Sequence, residues 1–462
     1  MSLPKRPEHA MPNTLSNTIP TPVTRRHALQ FLLAATAAWA APLAWAQSAR
    51  TGQSDGRLVV VFLRGAYDGL SALVPHGDAN YYALRPSIAL PRPDGTAQTT
   101  LRLDDTFGLH PALAPLMPLW KQGVLCALPA AGSPDPTRSH FDAQHHWEIG
   151  IPGKSSNAAG WMNTLAGSLA SLKAVAPEDT AQAAIKSIAI GVGEANPQIL
   201  SGSAPVQLVA KGQAATRQGA VGDERTRDAV MRLYGGQDDL SKAFRAGADS
   251  RMQTAKTLSD AMAEPAMGDN EMGKEMGKDM TREMQAANNG AGTAQGLLLD
   301  AQHLGTLMRQ DRRLRLGFLS AGGWDTHANQ GNVTGSLANN LGNLAGTLVQ
   351  LRRDFSQAND VVVVCSEFGR TSAENGTRGT DHGHGNAMWI MGNKVNGGRW
   401  HGGWTGLAQG NLHENRDLPV HNDFRGVFAQ VLHSTQGLAA ADIDALFPGF
   451  TWDRSLDGML RA

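Results

Sequence analysis

The chain has 462 residues, room for one large α/β domain or two smaller ones, because domains commonly run about 100 to 250 residues. Its 41 basic and 41 acidic side chains cancel, so no global field draws it to nucleic acid or to an anionic membrane, and no nucleic-acid partner is expected. Two cysteines are too few for a disulfide framework; Cys126 and Cys365 both fall in apolar strand-like runs and read as buried free thiols.

Residues 1–46 read as an export leader. Arg25 and Arg26 precede an apolar, Ala-rich run from Phe31 to Ala44, and Ala44-Trp45-Ala46 gives a small-x-small cleavage pattern before Gln47. The run is shorter than the roughly 20 apolar residues a span requires, so the mature chain is expected not to span a membrane. The arginine pair resembles a twin-arginine signal, which implies export to the periplasm by the twin-arginine translocase.

Residues 47–462 are expected to form a single α/β domain. Leu58 to Leu63 is a continuous β-branched run, the pattern of a strand buried on both faces. It leads into Gly65-Ala66-Tyr67-Asp68-Gly69, a loop with one carboxylate. A Pro-rich stretch to Asp105 follows, then a helix over Pro111 to Trp120 and a strand over Val124 to Leu128. In SHFDAQHHWEIG the Ser139 and Asp142 spacing marks a capped helix start, so a helix is expected from Ser139 to Glu148. Further strands are expected over Ser187 to Val192, Val206 to Ala210, Arg315 to Leu319, Val361 to Val364 and Ala387 to Met391. Helices alternate with them over Ala159 to Leu172, Asp223 to Tyr234, Ala294 to Arg309, Ser336 to Phe355 and Asn422 to Leu432. Such alternation predicts a mostly parallel central sheet with helices on both faces.

A Met-rich insertion at 251–295 interrupts the pattern, with Met272, Met276, Met280 and Met284 four apart and hence on one helical face. It reads as an amphipathic or poorly ordered insertion, with soft thioether binding of cuprous ion as the alternative.

Three stretches carry chemistry: GGWDTH at Gly322 to His327, VVVVCSEFGRT at Val361 to Thr371, and GTDHGHG at Gly379 to Gly385. Each sets acids or imidazoles just past or before an apolar strand, and the carboxyl ends of strands in an open α/β sheet form the ligand crevice. Asp325, His327, Glu367, Asp381, His382 and His384 are thereby candidate ligands of a divalent ion, Zn, Mn, Mg or Ca. Glu367 at the edge of the core demands compensation by a cation or by Arg370. Asp68 is either a further ligand or a turn carboxylate, and His140 is close enough in sequence to a helix start to reach the site. Ser139 or Thr137 could serve as a metal-activated nucleophile, with plain N-capping as the competing role of Ser139. Arg370 or Arg138 could balance charge on substrate oxygens.

The leader followed by GAYDGL, SHFDAQ, GWDTH, SEFGRT and TDHG resembles the exported bacterial family known as domain of unknown function number fifteen hundred and one, itself similar to the alkaline phosphatase and sulfatase superfamily. The resemblance spans about Leu58 to Phe450 and implies an alkaline-phosphatase-like fold with a metal site at the carboxyl edge of its sheet. Ligand order departs from that superfamily: Asp325 and His327 are only two apart, and Glu367-Phe368 stands where an Asp-His pair is typical. The resemblance supplies no substrate; taken with the candidate ligands, the expected function is an exported metal-dependent hydrolase of small or polymer-borne phosphate or sulfate esters. The alternative is a non-catalytic periplasmic binding or assembly protein that keeps the fold.

Overall fold

The apolar runs are strands of a sheet covered on both sides. In the computed structural model, which describes residues 56–173, 187–261 and 287–461, strand β1 (Leu58–Leu63) lies between two parallel neighbours. Its six side chains are all 0% exposed. Val59, Val61 and Leu63 pack on one face and Leu58, Val60 and Phe62 on the other, as the two-residue period of a strand requires.

Strands β2 (Leu73–Val74), β3 (Leu101–Arg102) and β4 (Gly108–Leu109) make a small antiparallel sheet. The main sheet begins with β12 (Asn422–Asp423), β5 (Leu125–Gly132), β11 (Asn386–Gly392) and β10 (Val361–Cys365). It continues through β1, β9 (Leu316–Gly322), β6 (Ala189–Val192) and β7 (Val206–Val209), with β8 (Gly292–Thr293) also paired to β9. From β10 through β7 every pairing is parallel. Helices Leu297–Gln310 and Ser336–Asp354 cover one face, Trp161–Lys173 and Phe424–Gln436 the other. This is the mostly parallel α/β sheet expected from the sequence.

Two details differ from expectation. Strand β11 runs antiparallel to both β10 and β5, because residues 366–385 return directly without a crossover helix. Asn422 pairs with Ala131 in β12, and the helix begins only at Phe424, where the Asp423 side chain accepts from the Arg425 amide. Cys126 and Cys365 are free and buried. Among the described residues no helix is long and apolar enough to cross a membrane. The leader (1–46) and the four-spaced methionines at 272–284 lie outside the described residues.

Parallel order decides where chemistry collects. β10, β1 and β9 are adjacent and point the same way, so the segments after Cys365, Leu63 and Gly322 emerge on one rim. Gly65 sits there with φ +109°, and a Cβ on it would stand 2.8 Å from the Asp325 amide nitrogen, so only glycine allows this approach.

Candidate metal centre

Four side chains from three parts of the chain converge on that rim. His140, Asp325 and His382 present ligand atoms that all lie within 4.8 Å of one another. His382 Nε2 lies 3.0 Å from His140 Nε2 and 3.0 Å from His327 Nε2. Asp325 faces the same point: its Oδ1 is 2.8 Å from His327 Nε2 and 3.3 Å from His382 Nε2, and its Oδ2 is 3.5 Å from His140 Nε2.

Each element delivers its residue for a local reason. Ser139 caps the His140–Glu148 helix, its hydroxyl accepting from the Asp142 amide at 3.4 Å, which fixes His140 in the first turn. Asp325 and His327 follow β9 after the Gly322-Gly323 turn. His382 returns to the rim because TDHGHG folds back on SEFGRT: Arg370 and His382 form an antiparallel bridge, and Gly383 donates to the Gly369 carbonyl at 2.8 Å. A Cβ at Gly383 would lie 2.4 Å from the Arg370 carbonyl carbon, so glycine permits that contact.

The far nitrogen of every imidazole has an oxygen partner. His140 Nδ1 is 2.8 Å from Glu367 Oε1, His327 Nδ1 is 3.2 Å from Asp381 Oδ1, and His382 Nδ1 is 2.9 Å from the Arg138 carbonyl. Donation from Nδ1 to oxygen leaves Nε2 as the inward-facing lone pair, the tautomer a metal ligand needs. Three such nitrogens around one point repel unless a proton or a cation lies between them.

The electrostatics follow from these contacts. Burial opposes charge on His140, but hydrogen bonds to Asp325 and Glu367 outweigh it and bring its pKa up to about 9. Burial would raise Asp325, yet contacts with His140, His327, His382 and Arg370 hold it well below the usual carboxylate range. Glu367, raised by burial and lowered more strongly by His140, ends at about 2. The hydrogen bond with Asp325 raises His327. Three imidazoles and one carboxylate form a nitrogen-rich, borderline donor set that fits Zn or Mn better than Mg or Ca.

Several expected site residues stand elsewhere. Asp68 does not join the cluster: Arg85 grips both its oxygens at 2.6 and 3.0 Å, and Ser71 and Gln330 add bonds of 2.7 and 2.8 Å. Glu367 is an outer residue. Gly65 N, Gln144 Nε2 and Ser366 Oγ donate to it at 2.8, 2.9 and 2.7 Å, so its work is to hold His140. Asp381 is exposed and holds His327. His384 is buried against His413, with ring centroids 4.3 Å apart; burial and His413 push its pKa down to about 4.

Arg370 is buried, donating to the carbonyls of Ala66, Thr380, Gly65 and Trp324 and pairing with Asp325, so its charge is spent on the protein around the rim. Arg138 bridges Glu414 and Asp417 at 2.6 and 2.9 Å. Among the described residues neither the Ser139 nor the Thr137 hydroxyl pairs with an imidazole or carboxylate; they accept from the Asp142 and Ser139 amides.

Sequence reasoning missed the layer beneath. Arg64, fully buried after β1, pairs with Glu148 at 2.8 Å and Glu194 at 2.5 Å and donates to Gln144 at 2.7 Å. Gln144 in turn donates to Glu367. The signal was available: His140, Gln144 and Glu148 recur every four residues, which lines a polar stripe along the buried face of one helix.

The fold and this cluster define an α/β protein with a built imidazole–carboxylate centre at the carboxyl rim of its sheet. A family profile described as "Protein of unknown function (DUF1501)" matches residues 55–447, and the chain belongs to that family. No curated protein matches the sequence. Among solved structures, alkaline phosphatase from the Antarctic bacterium TAB5 is 11% identical, with 84% of this chain and 100% of that one covered and a TM-score of 0.34. The PH0037 protein from Pyrococcus horikoshii is 9% identical over 74% of this chain and 86% of its own, TM-score 0.31. A TAB5 alkaline phosphatase mutant with bound Mg is 12% identical over 76% and 94%, TM-score 0.29. Likeness at this level carries no argument about chemistry.

Proposed function

We propose that this protein is an exported, metal-dependent hydrolase of phosphate or sulfate esters, with His140, His327, His382 and Asp325 as its metal ligands. The single observation that carries the reading is the convergence of His140, His382 and Asp325 within 4.8 Å, with His327 Nε2 joined to it 3.0 Å from His382 Nε2 and 2.8 Å from Asp325 Oδ1, and with each Nδ1 anchored to oxygen. A divalent ion held there supplies Lewis acidity toward an ester oxygen and acidifies a water. The chain's own residues set the ligands in place: Glu367 fixes the His140 ring, Asp381 that of His327, and the Arg138 carbonyl that of His382. The helix starts at His140, so its N-terminal end, with the partial positive charge a helix carries there, lies beside the cluster and would suit an anionic ester. With the Ser139 hydroxyl occupied in capping, water is the attacking group.

Export through the twin-arginine translocase to the periplasm is part of the proposal and rests on the arginine pair, apolar run and cleavage pattern of residues 1–46. The test is turnover of an aryl phosphate and aryl sulfate panel by purified protein loaded with Zn or Mn. Activity lost on chelation, restored by metal and missing in Asp325→Asn supports the reading. Metal-loaded protein inert across the panel favours the second reading, a non-catalytic periplasmic binding or assembly protein. That reading draws on the unactivated Ser139 and Thr137 hydroxyls and on Arg370, which is buried and paired with Asp325.

A further inference from the structure

The His140–Glu148 helix carries a second acid–imidazole pair away from the metal centre. His146 Nδ1 lies 2.5 Å from Asp135 Oδ2, and His146 Nε2 lies 3.0 Å from Ser155 Oγ. We propose that Ser155, His146 and Asp135 form a serine-type hydrolytic site for small carboxylic esters, independent of the metal-centre reading.

The three residues meet in the order the chemistry demands: a hydroxyl on Nε2 and a carboxylate on Nδ1 of one ring. Asp135 and His146 are buried, each 6% exposed, whereas Ser155 stands on the exposed loop 153–157. The Asp135 carboxylate is itself fixed. Its Oδ1 accepts from the Thr137 amide at 3.0 Å and its Oδ2 from the Gly153 amide at 3.1 Å, so it can orient the His146 ring. His145 Nε2 binds the Ser156 carbonyl at 2.9 Å, which holds the loop on the other side of Ser155. Among the described residues the Ser155 and Ser156 amides donate to no protein acceptor, so they are free donors next to the nucleophile for an oxyanion.

In the reaction Ser155 Oγ attacks the acyl carbon as its proton passes to His146 Nε2, and Asp135 balances the imidazolium. The bond from the acyl carbon to the alcohol oxygen breaks, and the departing alkoxide takes the proton from Nε2. Water then gives a proton to Nε2 and attacks the acyl–Ser155 ester; the acid leaves and Ser155 recovers its proton. Lys154, Ser155, Ser156 and Asn157 are all exposed and polar. Such a loop suits a short acyl group, such as acetyl, as the substrate class.

The experiment is covalent labelling of the full chain with a fluorophosphonate probe, read by intact and peptide mass spectrometry beside 4-nitrophenyl acetate turnover, with and without chelator. The account expects one adduct, on Ser155, unchanged in folded chelated protein, lost in Ser155→Ala and slowed at least about 100-fold in His146→Gln. Because Ser155 is exposed, its replacement by alanine leaves folding intact. No adduct, an adduct that survives Ser155→Ala, or wild-type labelling in His146→Gln would overturn the proposal and leave the trio as a pin between loop and helix. Labelling lost from folded protein on chelation also overturns it, since the reactivity would then belong to the metal centre.

Discussion

Asp68 and Asp325 follow adjacent parallel strands, are 1% and 8% exposed, and both have carboxyls held below the usual range. From sequence they look like equivalent ligands at one rim. Their partners separate them. Asp68 gives both oxygens to the Arg85 guanidinium, a planar fork that completes the ion pair and leaves no lone pair facing a shared point. Asp325 meets Arg370 on one side and three imidazole nitrogens on the other, so its carboxylate looks into a ring of imidazoles. A buried rim carboxylate is thus a structural ion pair when arginine takes it in both hands, and a candidate ligand when imidazoles surround it.

The largest expected effect is at Asp325. Asp325→Asn should abolish bound Zn or Mn measured by mass spectrometry in the folded fraction, with some stability lost because Arg370 loses its carboxylate partner; full metal content in this variant would erase the distinction. Asp68→Asn should leave the metal in place. It leaves the buried Arg85 charge uncompensated and should cost about 3 to 5 kcal/mol of stability by denaturant unfolding, while metal content in the folded fraction stays at the wild-type level.

His303 gives a third kind of buried polar group, with no partner on either ring nitrogen among the described residues. Burial takes its pKa from 6.5 to about 4. Between those values the unfolded chain binds a proton that the folded chain refuses. Stability from this group is therefore complete above about 6.5, falls as pH drops through the window, and is fully lost below about 4. His303→Leu should remove a pH-dependent loss of up to about 3 kcal/mol, seen as a flatter melting temperature between pH 7 and pH 4; His384 keeps part of the slope. An unchanged slope would show that His303 accepts a proton in the folded state. The smallest effect belongs to Asp381, exposed and touching only His327 of the cluster. Asp381→Asn should weaken metal binding about 10- to 100-fold in a competition titration without loss of stability.

Much of the fold was legible because strands buried on both faces must be apolar throughout. Leu58 to Leu63 and Val361 to Val364 declare themselves, and the helix start at Ser139 follows from its capping pattern. The direction of β11 was not legible, since an apolar run reads alike in either orientation and only the helix-free return through TDHGHG fixes it. Asp325, His327 and His382 could be nominated from their place beside strand ends. Which acids are ligands could not be resolved that way. Arg85 is 17 residues from Asp68, and His140 is 227 residues from Glu367, so both pairings arise only once the chain folds. The stripe His140, Gln144, Glu148 was written in the sequence at helical spacing, but its polar face reads as solvated until the helix is known to turn it inward.

The most direct test is an anomalous difference map from crystals grown with Zn or Mn. The account predicts a peak about 2.0 to 2.2 Å from the Nε2 atoms of His140, His327 and His382 and from an Asp325 oxygen. A peak at Asp68 or between His384 and His413, or a featureless rim after loading, would contradict it.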